Sequence, residues 1–181
     1  DKDIQVKEVS GNPKLILKNS DISFNNVGFK YEASNDKAVK NINLDIKGNT
    51  MSAFVGHSGA GKSTIINLIP RFYDPQDGSI KIDGQNIKDI SLSSLRKNLS
   101  MVSQDTILFD DTIKNNIAYA KNHASMEEIK KACKFAAADE FIEKLPKGYD
   151  TVIGENGIRL SGGQKQRISI ARAILKESPI I

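Results

Sequence analysis

Residues Gly56-His57-Ser58-Gly59-Ala60-Gly61-Lys62-Ser63-Thr64 fill every fixed position of the pattern G-x-x-x-x-G-K-[ST]. An apolar run, Met51-Ser52-Ala53-Phe54-Val55, precedes them and reads as a strand. Ile65, Ile66, Leu68 and Ile69 follow at helical spacing. A strand, a glycine-rich turn and a helix in that order make one β-loop-α unit, which ties the chain to an α/β architecture with parallel strands.

The chemistry of the loop follows from its residue types. Recognition of a polyphosphate needs several backbone N–H groups converging on one anion, and side chains there would block the approach. Gly56, Gly59 and Gly61 remove the Cβ atoms and permit positive φ angles. The helix that opens near Gly61 adds its N-terminal dipole and free N–H groups. Lys62 places a compact positive charge between β- and γ-phosphates, Ser63 offers a hydroxyl to Mg²⁺, and Thr64 serves the α-phosphate side. His57, Ser58 and Ala60 complete the cradle, with His57 read as facing solvent rather than as catalytic. The loop therefore predicts a nucleoside triphosphate with magnesium.

About a hundred residues on stands a second motif, Leu160-Ser161-Gly162-Gly163-Gln164, followed by Lys165-Gln166-Arg167-Ile168-Ser169-Ile170-Ala171-Arg172-Ala173. Ser161 is a good N-cap, and Gly162 and Gly163 leave backbone N–H groups bare at the start of a helix. That helix is expected to bury Ile168, Ala171 and either Ile174 or Leu175. It is a second helix end suited to an anion.

Together the two motifs resemble the nucleotide-binding domain of an ATP-binding cassette (ABC) exporter, of the type that moves lipid A, phospholipids or drugs, whose signature is Leu-Ser-Gly-Gly-Gln. Other landmarks fall in order: Tyr31 in Val27-Gly28-Phe29-Lys30-Tyr31, Gln104 in Met101-Val102-Ser103-Gln104-Asp105, and the coupling segment around Glu155. The resemblance implies that Tyr31 stacks on adenine. It makes Lys62 and Gln104 the catalytic residues, with Ser63 and Gln104 on Mg²⁺. ATP on residues 56–64 would be closed over by Ser161, Gly162, Gly163 and Gln164 of a second nucleotide-binding domain, in a head-to-tail homodimer. The implied fold is a P-loop NTPase with an ABC-type β-subdomain, a central parallel sheet and an inserted α-helical subdomain. The implied setting is the cytoplasmic face of a membrane, with a transmembrane domain fused on the N-terminal side.

The chain departs from that pattern at Glu177-Ser178-Pro179-Ile180-Ile181. In ABC domains an apolar strand ending in Asp and Glu comes next; Ile180 and Ile181 read as its opening, so the C-terminal part of the fold is expected to be missing. No general base is assigned, and weak or no hydrolysis is expected of the 181 residues alone. The alternatives are a soluble ABC-class ATPase and a catalytically degenerate, regulatory ATP-binding cassette.

Composition narrows the remaining classes. Hydrophobic content of 39% and charged content of 27% are those of a globular domain, not of a disordered tail. A net charge of +4 spread along the chain does not call for nucleic acid. One cysteine, Cys133, excludes a disulfide framework. No apolar run approaches the roughly 18 residues that would span a bilayer. Residues 1–20 read as a linker from an upstream transmembrane segment and 21–181 as the nucleotide-binding domain, with a helical subdomain at about 105–175. Within it, Ser125 and Glu128 form a capping box, and the helix they open is expected to run on through Ala137–Ile142 until Pro146 and Gly148.

Overall fold

A computed structural model of the chain describes residue 6 and residues 9–181. They fall into two compact units, Asp1–Asn98 and Leu99–Ile181.

The first unit is built on a four-stranded antiparallel sheet in the order β2-β1-β3-β4. The strands are β1 (Ile22–Phe29), β2 (Val39–Ile46), β3 (Asp77–Ile82) and β4 (Gln85–Asn86). In β1, Ile22 and Phe24 face the core, then Asn25 and Asn26 turn outward, and Val27 and Phe29 face in again. Strict alternation would have sent Val27 and Phe29 to solvent. A register shift between Phe24 and Val27, with Asn26 at φ 50°, resets the parity and buries both halves of the strand.

β3 and β4 meet at Asp83-Gly84, with φ of 48° and 78°, the two positive angles a tight hairpin turn requires. Asp83 has a second task. Its carboxylate accepts hydrogen bonds from the backbone N–H groups of Lys18 at 2.7 Å, Asn19 at 3.2 Å, Ser20 at 3.0 Å and Asp21 at 3.0 Å. Gln85 adds a reciprocal pair with the backbone of Ile16, and Leu15 N–H donates to Ser94 Oγ at 2.9 Å. Residues 16–21 are thus bound along the hairpin. Of the expected linker 1–20, residues 1–5, 7 and 8 lie outside the described residues.

Arg71 is 2% exposed and would be costly without partners. Its fork meets both oxygens of Asp74 at 2.9 Å, and Nη1 donates to the carbonyls of Ile87 and Lys88 at 3.2 Å. Each nitrogen of the buried charge is bonded, and it pins the segment after α1 (Lys62–Leu68) to the residues after β4.

The second unit is helical: α3 (Ile113–Ala118), α4 (Met126–Phe135), α5 (Asp139–Ile142) and α6 (Gly162–Leu175), with α2 (Leu92–Lys97) belonging to the first unit. Ile113, Ile117, Cys133, Ile142 and Ile168 form the fully buried centre. Beside it Asn116, 1% exposed, accepts at Oδ1 from Phe109 N–H and from Arg172, while its amide donates to the carbonyls of Phe109 and Thr112. Arg172 also donates to the carbonyls of Asn116 at 2.6 Å and Ile107 at 2.7 Å. This polar hub ties the loop 107–112 to α3 and α6.

The capping box of α4 is formed, Glu128 N–H to Ser125 Oγ at 3.2 Å and Ser125 N–H to Glu128 Oε2 at 2.7 Å. The bond from Lys121, then that from Ser125, hold the Glu128 carboxyl down to about 2. Three expectations differ from the structure. The helix does not continue through Ala137: α4 ends at Phe135, and Ala137 takes φ 51°. Ala138 N–H then reaches Cys133 O at 2.8 Å and Ala137 N–H reaches Lys134 O at 3.1 Å. That pair of hydrogen bonds closes a helix end that usually carries glycine. Residues 51–55 form no strand and are largely exposed, Met51 at 99% and Val55 at 94%. Residues 99–103 likewise read from the sequence as a buried strand ending at Gln104, yet Leu99 makes one parallel bridge with Ile180, and Met101 is 40% exposed. A strand exists through its neighbours, and among the described residues these two segments find no further ones.

Two substitutions test this account. Asp83→Asn removes the charge and replaces one of the two acceptor oxygens with an NH2 group that cannot accept, and is expected to cost about 1.5–3 kcal/mol in denaturant unfolding. Desolvation pushes the Asp83 carboxyl up, but the four backbone donors outweigh it and hold it below its ordinary value. Its contribution is therefore complete above about pH 4 and fades as pH falls through the folded value. The stability gap between Asp83→Asn and the parent should close in acid; a gap independent of pH would contradict the clamp. Ala137→Gly should raise stability by about 0.5–1 kcal/mol, because the left-handed conformation no longer opposes a Cβ. A loss of stability would show that Ala137 is not strained.

Candidate nucleotide site

The glycine-rich loop lies on the exposed surface of the first unit, between residue 55 and α1. Gly59 and Gly61 take φ of 81° and 83°, and Gly61 opens α1 from the left-handed region. A Cβ at Gly61 would stand 2.6 Å from Val39 Cγ1 and 2.8 Å from Ala38 O, so the start of β2 also requires glycine here. Gly56 differs from the expectation. It is not among the positive-φ glycines, and a Cβ there would press on Ala60 at 3.3 Å. Its lack of a side chain serves close approach within the loop.

Lys62 curls back over the loop it follows. Its ammonium donates to Gly56 O at 2.8 Å and His57 O at 2.7 Å. Two carbonyl oxygens thus hold a cation inside the ring of backbone formed by residues 56–62. His57 Nδ1 lies 2.8 Å from Ser58 O, which keeps the imidazole at the rim of the loop. Ser58 and Ser63 are exposed, while Thr64 is 6% exposed on the inner side of the first helical turn.

Tyr31 is brought to this loop. Its hydroxyl lies 3.2 Å from Thr64 Oγ1, and its ring meets Phe29 and Tyr73 edge-on at centroid distances of 4.7 and 5.2 Å. Tyr73 went unnoticed in the sequence, where its one signal was its place in an aromatic pair, Phe72-Tyr73, soon after α1.

Gln104 and the second motif belong to the second unit. Gln104 is exposed at a bend, where Ser103 Oγ donates to Asp105 O at 2.6 Å. A cavity of about 300 Å³ nearby is lined by Ser103, Asp105, Ile107, Arg172 and Lys176 among others, and by none of the residues singled out as phosphate ligands. Ser161 caps α6 as expected, in a reciprocal box: Gln164 N–H to Ser161 Oγ at 3.3 Å and Ser161 N–H to Gln164 Oε1 at 2.9 Å. Ile168, Ala171 and Leu175 are buried on this helix, which settles the Ile174-or-Leu175 alternative for Leu175. Ser161, Gly162 and Gly163 are exposed or partly so, and a Cβ added at either glycine meets nothing within 4 Å. The fold of this chain does not itself require glycine there.

The residues fit a polyphosphate. The first unit offers a cation held by carbonyls, two loop glycines at positive φ and exposed hydroxyls, the donor set an anion needs. Among the described residues no group of three or more His, Cys, Asp or Glu side chains could hold a metal ion. A bound Mg²⁺ would therefore take most of its oxygens from phosphate and water.

Comparison with known proteins bears on the same residues. The model of the ABC transporter family matches residues 39–181. The ATP-dependent lipid A-core flippase of Pasteurella multocida (strain Pm70) is 57% identical over 161 residues, covering 88% of this chain and 28% of the flippase. A putative multidrug export ATP-binding/permease protein of Staphylococcus aureus (strain NCTC 8325 / PS 47) is 49% identical over all 181 residues, or 31% of its own length. The chain thus spans under a third of these relatives. A bacterial Atm1-family ABC exporter solved with ATP bound superposes with a TM-score of 0.94 at 44% identity, over 99% of this chain and 31% of that one. The expected α/β fold is therefore that of an ABC ATPase; of its central parallel sheet the described residues carry the Leu99–Ile180 bridge. By the match over most of its length, and with the ATP binding that such a match implies, this chain belongs to the ABC transporter family.

Proposed function

We propose that this chain is the ATP-binding and hydrolysing domain of a membrane exporter, which couples ATP-driven, head-to-tail dimerisation to the export of a lipid or other hydrophobic compound. The observation that carries the reading is the ammonium of Lys62, held by Gly56 O and His57 O within an exposed loop of glycines. The names of the relatives, a lipid A-core flippase and a multidrug exporter, support the class of cargo.

In this reading residues 56–64 hold the phosphates of ATP and Tyr31 meets its base. Bound there, ATP supplies the phosphoanhydride whose cleavage drives the cycle. Lys62 exchanges its carbonyl partners for phosphate oxygens and offsets their charge. Ser63 and Gln104 are the protein ligands of Mg²⁺, and Gln104 orients the attacking water. Gly162 and Gly163 give bare N–H groups at the start of α6, and with Ser161 and Gln164 they close over the ATP of a second copy. That both glycines face open space in a single chain supports a task outside it. Residues 1–20 are the linker from an N-terminally fused transmembrane domain, 21–181 the nucleotide-binding domain, and about 105–175 its helical subdomain. The domain works at the cytoplasmic face of the membrane.

Two measurements on the full-length protein test this. Lys62→Ala should abolish ATP-driven transport and weaken ATP binding by about 1.5–3 kcal/mol, the scale of one charge-assisted contact. Turnover equal to the parent's would rule the assignment out. Ser161→Arg should leave ATP binding to one domain intact but prevent the ATP-dependent closure of two. Cross-linking that still traps the closed pair in the presence of ATP would remove Ser161 from the partner's site.

A further inference from the structure

Tyr31 and Thr64 are 33 residues apart in sequence and joined by a hydrogen bond of 3.2 Å between their hydroxyls. Thr64 is 6% exposed and sits in the first turn of α1, directly after Lys62 and Ser63. The ring that carries the phenol is held on two sides. Phe29 and Tyr73 both meet it at an interplanar angle of 86°, and they contact each other at 5.3 Å. A ring wedged in this way has few rotamers open to it, so its oxygen is delivered to one place.

A hydroxyl has one hydrogen to give and two lone pairs to receive. When the Tyr31 O–H donates to Thr64 Oγ1, the hydrogen of Thr64 is left for another acceptor. Hydrogen bonds in such a chain polarise one another, which makes the Thr64 O–H a better donor than an isolated hydroxyl. Ring and oxygen of Tyr31 can therefore do different things.

Resting on the reading of residues 56–64 as the phosphate site, we propose that the Tyr31 hydroxyl is a positioning group for the phosphate side of that site, orienting and polarising the Thr64 hydroxyl that donates to the polyphosphate. The ring's contact with the base is a separate contribution. Tyr31 then links the two ends of the nucleotide through a single side chain, and the phosphate half of its effect does not need a base at all.

Inorganic tripolyphosphate, which has no base, separates the two. On the full-length protein, Tyr31→Phe keeps the ring and removes the oxygen. It should weaken binding of ATP and of tripolyphosphate by the same factor, about three- to tenfold, as expected for one hydrogen bond. Thr64→Val should cost at least as much with both ligands, and Thr64→Ser, which keeps the hydroxyl, should restore affinity. In the double variant Tyr31→Phe should add nothing to Thr64→Val, since the acceptor is already gone. The proposal is overturned if Tyr31→Phe weakens ATP while leaving tripolyphosphate unchanged, if it changes neither, or if the two single losses add. Lys62→Ala keeps the underlying reading apart. Tripolyphosphate affinity unmoved by Lys62→Ala would remove the phosphate site itself, whereas a loss there with Tyr31→Phe neutral would remove the positioning role alone.

Discussion

A lysine ammonium resting on two carbonyl oxygens of its own loop is the interaction on which the site depends. Gly56 O and His57 O hold Lys62 at 2.8 and 2.7 Å, so the loop closes around a positive charge. The arrangement needs left-handed backbone at Gly59 and Gly61, and Gly61 in turn needs room beside Val39. From that point the demands spread outward. β2 must present Val39, β1 must hold β2 in register despite its bulge, and the hairpin at Asp83-Gly84 must hold β1 from the other side. Preorganisation of this kind lowers the ordering cost that a ligand would otherwise meet on binding.

The second unit uses different means for a similar end. α6 is started by Ser161 and Gln164 in a closed pair of bonds, and its body is anchored by Ile168 and by the Arg172–Asn116 hub. The helix end is therefore held by two reciprocal bonds while its first residues stay exposed. A Cβ added at Gly162 or Gly163 would meet nothing within 4 Å.

What could be read from the sequence was what is decided within a few residues. The boxes Ser125/Glu128 and Ser161/Gln164 span three residues each, and both formed. The turn at Asp83-Gly84 is decided by two adjacent residues, whereas the same carboxylate's grip on residues 18–21 spans more than 60 residues and has no local signal. Arg71 with Asp74 lies three apart, yet nothing local says that the pair is buried against the carbonyls of Ile87 and Lys88. The end of α4 was missed because Ala137 occupies a place where glycine usually gives the signal. Residues 51–55 failed in the opposite way: the pattern of a strand is there, and its neighbours are not among the described residues. Within the site, the positive φ of Gly59 and Gly61 was legible and the different conformation of Gly56 was not, whereas the Tyr31–Thr64 bond and the ring of Tyr73 are products of the fold.

The most direct test of the account is the accessibility of Lys62 to an amine-acylating reagent, mapped by mass spectrometry with and without Mg²⁺ and ATP. ATP and tripolyphosphate should both protect Lys62 while adenosine does not, and exposed lysines such as Lys130 and Lys131 should react equally throughout. Labelling of Lys62 that is the same with ATP as without it would contradict the claim that the triphosphate sits on this loop.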